Sequence, residues 1–362
     1  MPQTEPESKK VRDSNLELFR ILTMLIIVAH HYVVNSGYLD LIREFGATSS
    51  NSLFLLLFGW GGKTGINCFV LITGYFMVKS KITLNKFLKL FLEIEFYSIV
   101  IAVIFFATGY GDMSIKLLIK DILPITSISK GFTSCYLLFY LFIPFLNILL
   151  NKINEQQHRY LIALCFMIFT LLPHLHIKLS FNYVEWFIVI YIIAAYIRLY
   201  PHKVFQSNKI CGVALLLSLV CSWASVIWGA WRYDVSNKAV WYNFVSDSNA
   251  IFALTTAIFA FCFFKNLNIR YSKIINTISA SAFGVMLIHA ASDSMRQWLW
   301  KDTLQNTTFF NSDYLVIHAV ASVLGIYIIC TLIDYIRIHL LEAPFFRWFN
   351  SMKTKKITGE VS

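Results

Sequence analysis

Ten apolar stretches, most about twenty residues long, recur along the chain and are separated by short polar connections. They cover 16–34, 53–78, 87–108, 132–150, 160–173, 183–200, 210–231, 250–264, 274–291 and 314–338. A transmembrane helix takes roughly 20 apolar residues, so ten of them use up the 362 residues and leave no room for a separate soluble domain. The pattern predicts an all-α polytopic membrane protein of about ten transmembrane helices. A polar tail precedes it at 1–14, the transmembrane domain occupies 15–349, and a basic tail closes the chain at 350–362. The start MPQTEPESKKVRD has no short apolar core with a small-residue cleavage site, so the first span is expected to stay as an anchor.

Charge placement adds an orientation. With the amino terminus inside, 21 of the 31 Lys and Arg fall on cytoplasmic segments and nine on outer ones, with Lys63 inside the second stretch. Both termini are therefore expected in the cytoplasm. The net charge of +11 then needs no nucleic-acid partner: it is a positive-inside bias, helped by attraction of KKVR and KTKK to anionic membrane lipids. Composition agrees, with 57% hydrophobic residues, 14% charged and a mean hydropathy of +0.62. Seven cysteines, an odd number without a CxxC pair, fit neither a disulfide framework nor a zinc ribbon and read as packing residues.

Against this background the first stretch stands out, because it carries Arg20 and, eleven residues later, His31. Ionisable groups at bilayer depth need a partner or a cavity. At 100° per residue the two lie within about 20° of one another and about 16 Å apart along the helix, while His30 points about 80° away from Arg20. An arginine near the inner surface and an imidazole deeper in suit a ligand with an anionic head and a reactive end, such as acetyl-coenzyme A. The imidazole could take the proton of a hydroxyl that attacks the thioester. The plainer reading is an arginine snorkelling to lipid phosphate and a histidine bonded to a backbone carbonyl.

Other polar positions follow. GWGGKTG at 59–65 would weaken a continuous helix and predicts a broken or re-entrant element, with Lys63 and Asn67 as candidates to line a chamber, or else close helix packing by small residues. Lys79, Lys81, Lys86 and Lys89 crowd the inner side. His289, near the outer end of the ninth stretch, could share acid–base work with His31 if the two helices are neighbours. Glu185 could orient an imidazole or bind acceptor hydroxyls, or simply end a helix in solvent. His174 and His176 have no metal-site spacing, so no metal is assigned. Glu342 and Pro344 are expected to stop the tenth helix.

These motifs carry a resemblance. NLELFRILTMLIIVAHHY is similar to the R-x10-H signature of the acyltransferase family 3 membrane proteins. GINCFVLITGYF at 65–76, SAFGVMLIHA at 281–290 and EAPFFRWF at 342–349 resemble three further segments of that family, in order. Thr73 and Met286 depart from it where serine and an aromatic are usual. The resemblance implies transfer of acyl groups onto carbohydrates, with coenzyme A phosphates received by basic residues such as Arg20, Lys79, Lys86 and Lys89. The expected activity is O-acetylation of a cell-surface or exported polysaccharide, or of its lipid-linked precursor, with His31 as general base or as a transient acetyl carrier. The rivals are a transporter or flippase that couples substrate or protons through Arg20 and His31, and a polysaccharide polymerase or ligase. The outer stretches at 109–131 and 292–313 are short for the latter.

Overall fold

The computed structural model describes residues 13–110, 119, 131–175, 177, 179–238 and 240–358, the side chains of 353–358 excepted. The basic run KKVR, most of the 109–131 loop, His176 and the side chains of KTKK lie outside the described residues. Among the described residues the regular structure is helical, without strands.

All ten apolar stretches fall on helix. We number the main helices α1 (Ser14–Val34), α2 (Tyr38–Phe45), α3 (Ser50–Gly59), α4 (Gly62–Met77), α5 (Leu84–Thr108), α6 (Phe132–Lys152), α7 (Glu155–Cys165), α8 (Tyr183–Leu199), α9 (Asn208–Ser236), α10 (Ile251–Asn266), α11 (Lys273–Ala280), α12 (Ala282–His289), α13 (Leu315–Arg337) and α14 (Ala343–Thr358). Among the described residues six helices, counting α3–α4 as one and α13–α14 as one, are long and apolar enough to cross a membrane; a bent pair, Lys273–His289 with Asp293–Phe309, makes a seventh if it is one span. The difference from the expected ten has a physical cause. Helix α8 has 17 residues, and every one from Val189 to Ile197 is buried, so its unbroken apolar run reflects a protein interior on all sides as much as lipid. Helix α10 has 16 residues. By contrast α9 buries only Cys211, Ser222, Val226, Gly229 and Ala230 and leaves the rest of its length half-buried or exposed.

The glycine run resolves as close packing. Only Trp60 and Gly61 interrupt α3 and α4, which continue as one span of 28 residues, Ser50–Met77, with no re-entrant bend. Helix α1 lies directly on the glycines. A Cβ placed on Gly62 would sit 2.2 Å from Cγ of His30, and one on Gly65 2.7 Å from Cγ1 of Ile27, so a side chain at either position would push the backbones apart.

The tenth helix does not stop at Pro344 as expected. A π turn, Ile338–Glu342, links α13 to α14, and the chain stays helical through it. The altered hydrogen-bond register of a π turn accommodates a residue that has no N–H to give.

Candidate active site

Helix α1 runs through the centre of the molecule, and its two histidines leave in different directions. His30 places Nδ1 2.6 Å from the carbonyl of Gly59. His31 places Nδ1 2.9 Å from Nε2 of His289, whose own Nδ1 lies 2.6 Å from the carbonyl of Val285, one turn back in α12. The hydrogen positions follow from the acceptors. A carbonyl only accepts, so Nδ1 of His289 carries a proton, and in the neutral imidazole its Nε2 is then a lone pair. Nδ1 of His31 then donates to that lone pair, and Nε2 of His31 is left with its own lone pair and no hydrogen bond from any described residue. His289 is fully buried and His31 half-buried, so the inner ring is a fixed support and the outer ring the accessible one.

A dense layer surrounds the pair. Trp300 meets His289 edge-on at 6.4 Å. Beside it, Tyr38 donates to the carbonyl of Asn306 at 2.5 Å, so the Tyr32 hydroxyl, 3.0 Å away, donates to Tyr38 and in turn accepts from Nδ1 of His318 at 2.9 Å. The chain bends by 96° just after His289, which brings Arg296 within electrostatic reach of both histidines. Arg296 pairs with Asp293 at 2.6 Å. In the sequence Arg296 is one of the nine outer charges, and helical periodicity does not connect it with the histidines, because the bend breaks the phase.

The remaining candidates lie elsewhere. Arg20 shares the stripe of His31 but pairs with Glu17 at 2.8 Å, and Glu17 also accepts from the Ser279 hydroxyl at 2.6 Å. Between Arg20 and His31, Met24 and Ile27 are only 1% and 2% exposed. The two cavities described here include neither residue. One, of about 480 Å³, lies on the opposite face of α1; the other, of about 380 Å³, is polar and sits where α1 begins, between Asp13, Asn15, Tyr75, Lys265 and Asn268.

Lys63 donates to the Tyr183 hydroxyl at 2.6 Å. Asn67 is buried and joins the carbonyl of Ser248 to the indole of Trp186, a tie between three segments. Glu185 caps its own helix, accepting from the backbone N–H of Asn182 at 2.5 Å. Lys79 is exposed. Lys86 donates to the Ser80 hydroxyl and the Lys81 carbonyl at 2.7 and 2.9 Å, and Lys89 pairs with Glu342 at 2.6 Å. His174 bonds the carbonyl of Thr170 at 2.7 Å. Among the described residues, no group of three or more His, Cys, Asp or Glu could hold a metal ion.

A match to the family described as an acyltransferase domain covers residues 13–334, nearly the whole chain. The chain belongs to acyltransferase family 3. No curated protein and no solved structure matches it. For an acyltransferase of this family, a proton acceptor with one open nitrogen, backed by a second neutral ring, is a chemically suitable centre: it can take a proton from an attacking hydroxyl without a buried carboxylate to desolvate.

Proposed function

We propose that this acyltransferase is an integral-membrane O-acetyltransferase that moves the acetyl group of cytoplasmic acetyl-coenzyme A onto a hydroxyl of a cell-surface or exported polysaccharide, or of its lipid-linked precursor. Both termini lie in the cytoplasm in this reading, as the Lys and Arg distribution favours. The observation that carries it is the relay Val285–His289–His31, which leaves Nε2 of His31 as an open base.

In the proposed reaction Nε2 of His31 takes the acceptor hydroxyl proton as the oxygen attacks the thioester carbon. The tetrahedral intermediate then collapses, the carbon–sulfur bond breaks, and the thiolate leaves with the proton returned by His31. His289 holds the ring by accepting from Nδ1 and spreads the positive charge that forms there. Stabilisation of the oxyanion is assigned to Arg296, whose charge reaches both rings. The donor's anionic head is assigned to the side where α1 begins, with Arg20, Lys79, Lys86 and Lys89 together with the polar cavity beside Lys265.

The test is direct. With acetyl-labelled coenzyme A and purified protein, His31→Ala is expected to lower acetyl transfer by at least about a hundredfold, while His30→Ala, which loses the bond to Gly59 and the packing on Gly62 but nothing bonded to the His31–His289 pair, keeps most of it. Normal acetylation of membrane glycans by the His31 variant would end the proposal. Substrate uptake without thiol release would put a transporter in its place.

A further inference from the structure

Lys63 has no task in the acetyl-transfer reading. It stands half-buried in the first turn of α4, next to Gly62, the glycine on which His30 packs. An ammonium has three protons to give. That of Lys63 hands one to the Tyr183 hydroxyl at 2.6 Å, with the nitrogen 5.3 Å from the centre of the same ring. Both contacts are neutral. Among the described residues no carboxylate comes within ion-pair distance of Lys63, and Glu185, two residues beyond Tyr183, is engaged in capping Asn182. Asn67, one turn along α4, is by contrast bonded through both atoms of its amide.

The charge of Lys63 reaches both His30 and His31, and that of Arg296 reaches His31. Arg296 is matched by Asp293 at 2.6 Å; Lys63 is not matched. His30, His31 and Tyr242 lie deep among the helices and yet are only half-buried, so the surface they keep open borders a recess inside the molecule. An unmatched ammonium in a helix that spans a membrane is costly, and a glutamine would serve the Tyr183 hydroxyl without that cost. The charge itself therefore calls for an anion brought by a ligand. The donor's phosphates are assigned to the far end of α1, about 16 Å of helix away at Arg20, which leaves the acceptor.

Resting on the acetyl-transfer reading, we propose that the acceptor is an anionic saccharide, whose carboxylate or phosphate pairs with Lys63 while a hydroxyl of the same or the next sugar reaches Nε2 of His31. A neutral glycan would leave the ammonium facing the like charge that forms on His31 during transfer.

The experiment uses the full-length protein in detergent, acetyl-labelled coenzyme A and glycans extracted from the envelope of the cells that make it, with the products separated by anion exchange. An acetyl ester adds no charge, so the labelled fraction reports the acceptor. Label is expected in the retained fraction. Amidation of the products with a carbodiimide removes carboxylate charge and spares phosphodiesters: label that then passes through assigns a carboxylate, and label that stays retained assigns a phosphate. Label mainly in the neutral fraction of untreated products, a result that needs no variant to fold, would overturn the proposal. No label in any fraction would overturn the acetyl-transfer reading and this inference with it. Lys63→Met is expected to raise the KM for the retained glycan at least about tenfold, the worth of one charge-assisted hydrogen bond, with the KM for acetyl-coenzyme A and the thermal midpoint nearly unchanged, and Lys63→Arg should recover most of the loss. A rise in the donor's KM in place of the acceptor's would give Lys63 to coenzyme A and overturn the proposal.

Discussion

Two groups of ionisable side chains are gathered between the helices of this acyltransferase, and they are built on opposite plans. Around Arg337 every guanidinium nitrogen is engaged: Nη2 with Glu93 at 3.1 Å, Nε with Asp334 at 2.8 Å and Nη1 with Glu342 at 2.8 Å. Lys89 adds a second bond to Glu342, and Tyr97 donates to Asp334 at 2.8 Å. Around His31, among the described residues, no carboxylate is bonded to either ring, and one nitrogen is left open. A buried charge attracts attention as a functional residue, but the first group spends every guanidinium nitrogen on an ion pair that ties α5 to the α13–α14 junction. The second leaves a valence for a substrate. What separates a lock from a site here is an open lone pair on a group that can be reached: Asp334 Oδ2 also lacks a partner but is fully enclosed, whereas His31 is half-buried, and residue type alone does not reveal the difference.

The sharpest way to break the contrast is Arg337→Met. It leaves Glu93 and Asp334, 8% and 0% exposed, without their cation. The expected cost is about 3–5 kcal/mol of stability, read as a large fall in the thermal midpoint in detergent. Adding Glu93→Gln and Asp334→Asn should recover most of the loss, because the damage comes from uncompensated charge. An unchanged midpoint in the single variant would mean that the cluster is not the lock described.

His289→Phe tests the other plan and should act on rate alone. It keeps a ring in the buried slot against Trp300 but removes the acceptor for Nδ1 of His31, so the His31 ring loses its fixed tautomer. Acetyl transfer should fall about 10- to 100-fold, roughly 1.4–2.7 kcal/mol in the barrier, with donor KM and the thermal midpoint nearly unchanged. A parallel fall in stability would make His289 a packing residue.

The same contrast marks how far the sequence could be read. The helical stripe of Arg20 and His31 follows from a fixed 100° per residue, and the apolar windows follow from composition, so both were legible. The approach of His289 to His31 joins positions 258 residues apart; sequence could name the residue and state the condition that the helices be neighbours, but it could not supply the register. The partners that neutralise charge were hidden for a related reason. Glu17 sits three residues before Arg20 and was open to inspection, whereas the bond from Lys89 to Glu342 depends on a π turn that carries α13 past Pro344. The glycine run pointed to either a broken span or close packing, and what decided it was His30 and Ile27 lying against Gly62 and Gly65.

The smallest expected effects divide the lysines at the start of α5. Lys89 already has its charge balanced by Glu342, through an exposed side chain worth at most about 1 kcal/mol. Lys86, three residues earlier, bonds only neutral oxygens of Ser80 and Lys81, so its positive charge is uncompensated and available to a phosphate. Replacing each with glutamine should therefore raise the KM for acetyl-coenzyme A about fivefold at Lys86 and less than about twofold at Lys89. The Lys86 effect should shrink as salt is added, as expected for a solvent-exposed charge. If Lys89→Gln has the larger effect, the donor's phosphates must displace Glu342 on binding, and the cluster around Arg337 then belongs to the catalytic cycle as well as to the scaffold.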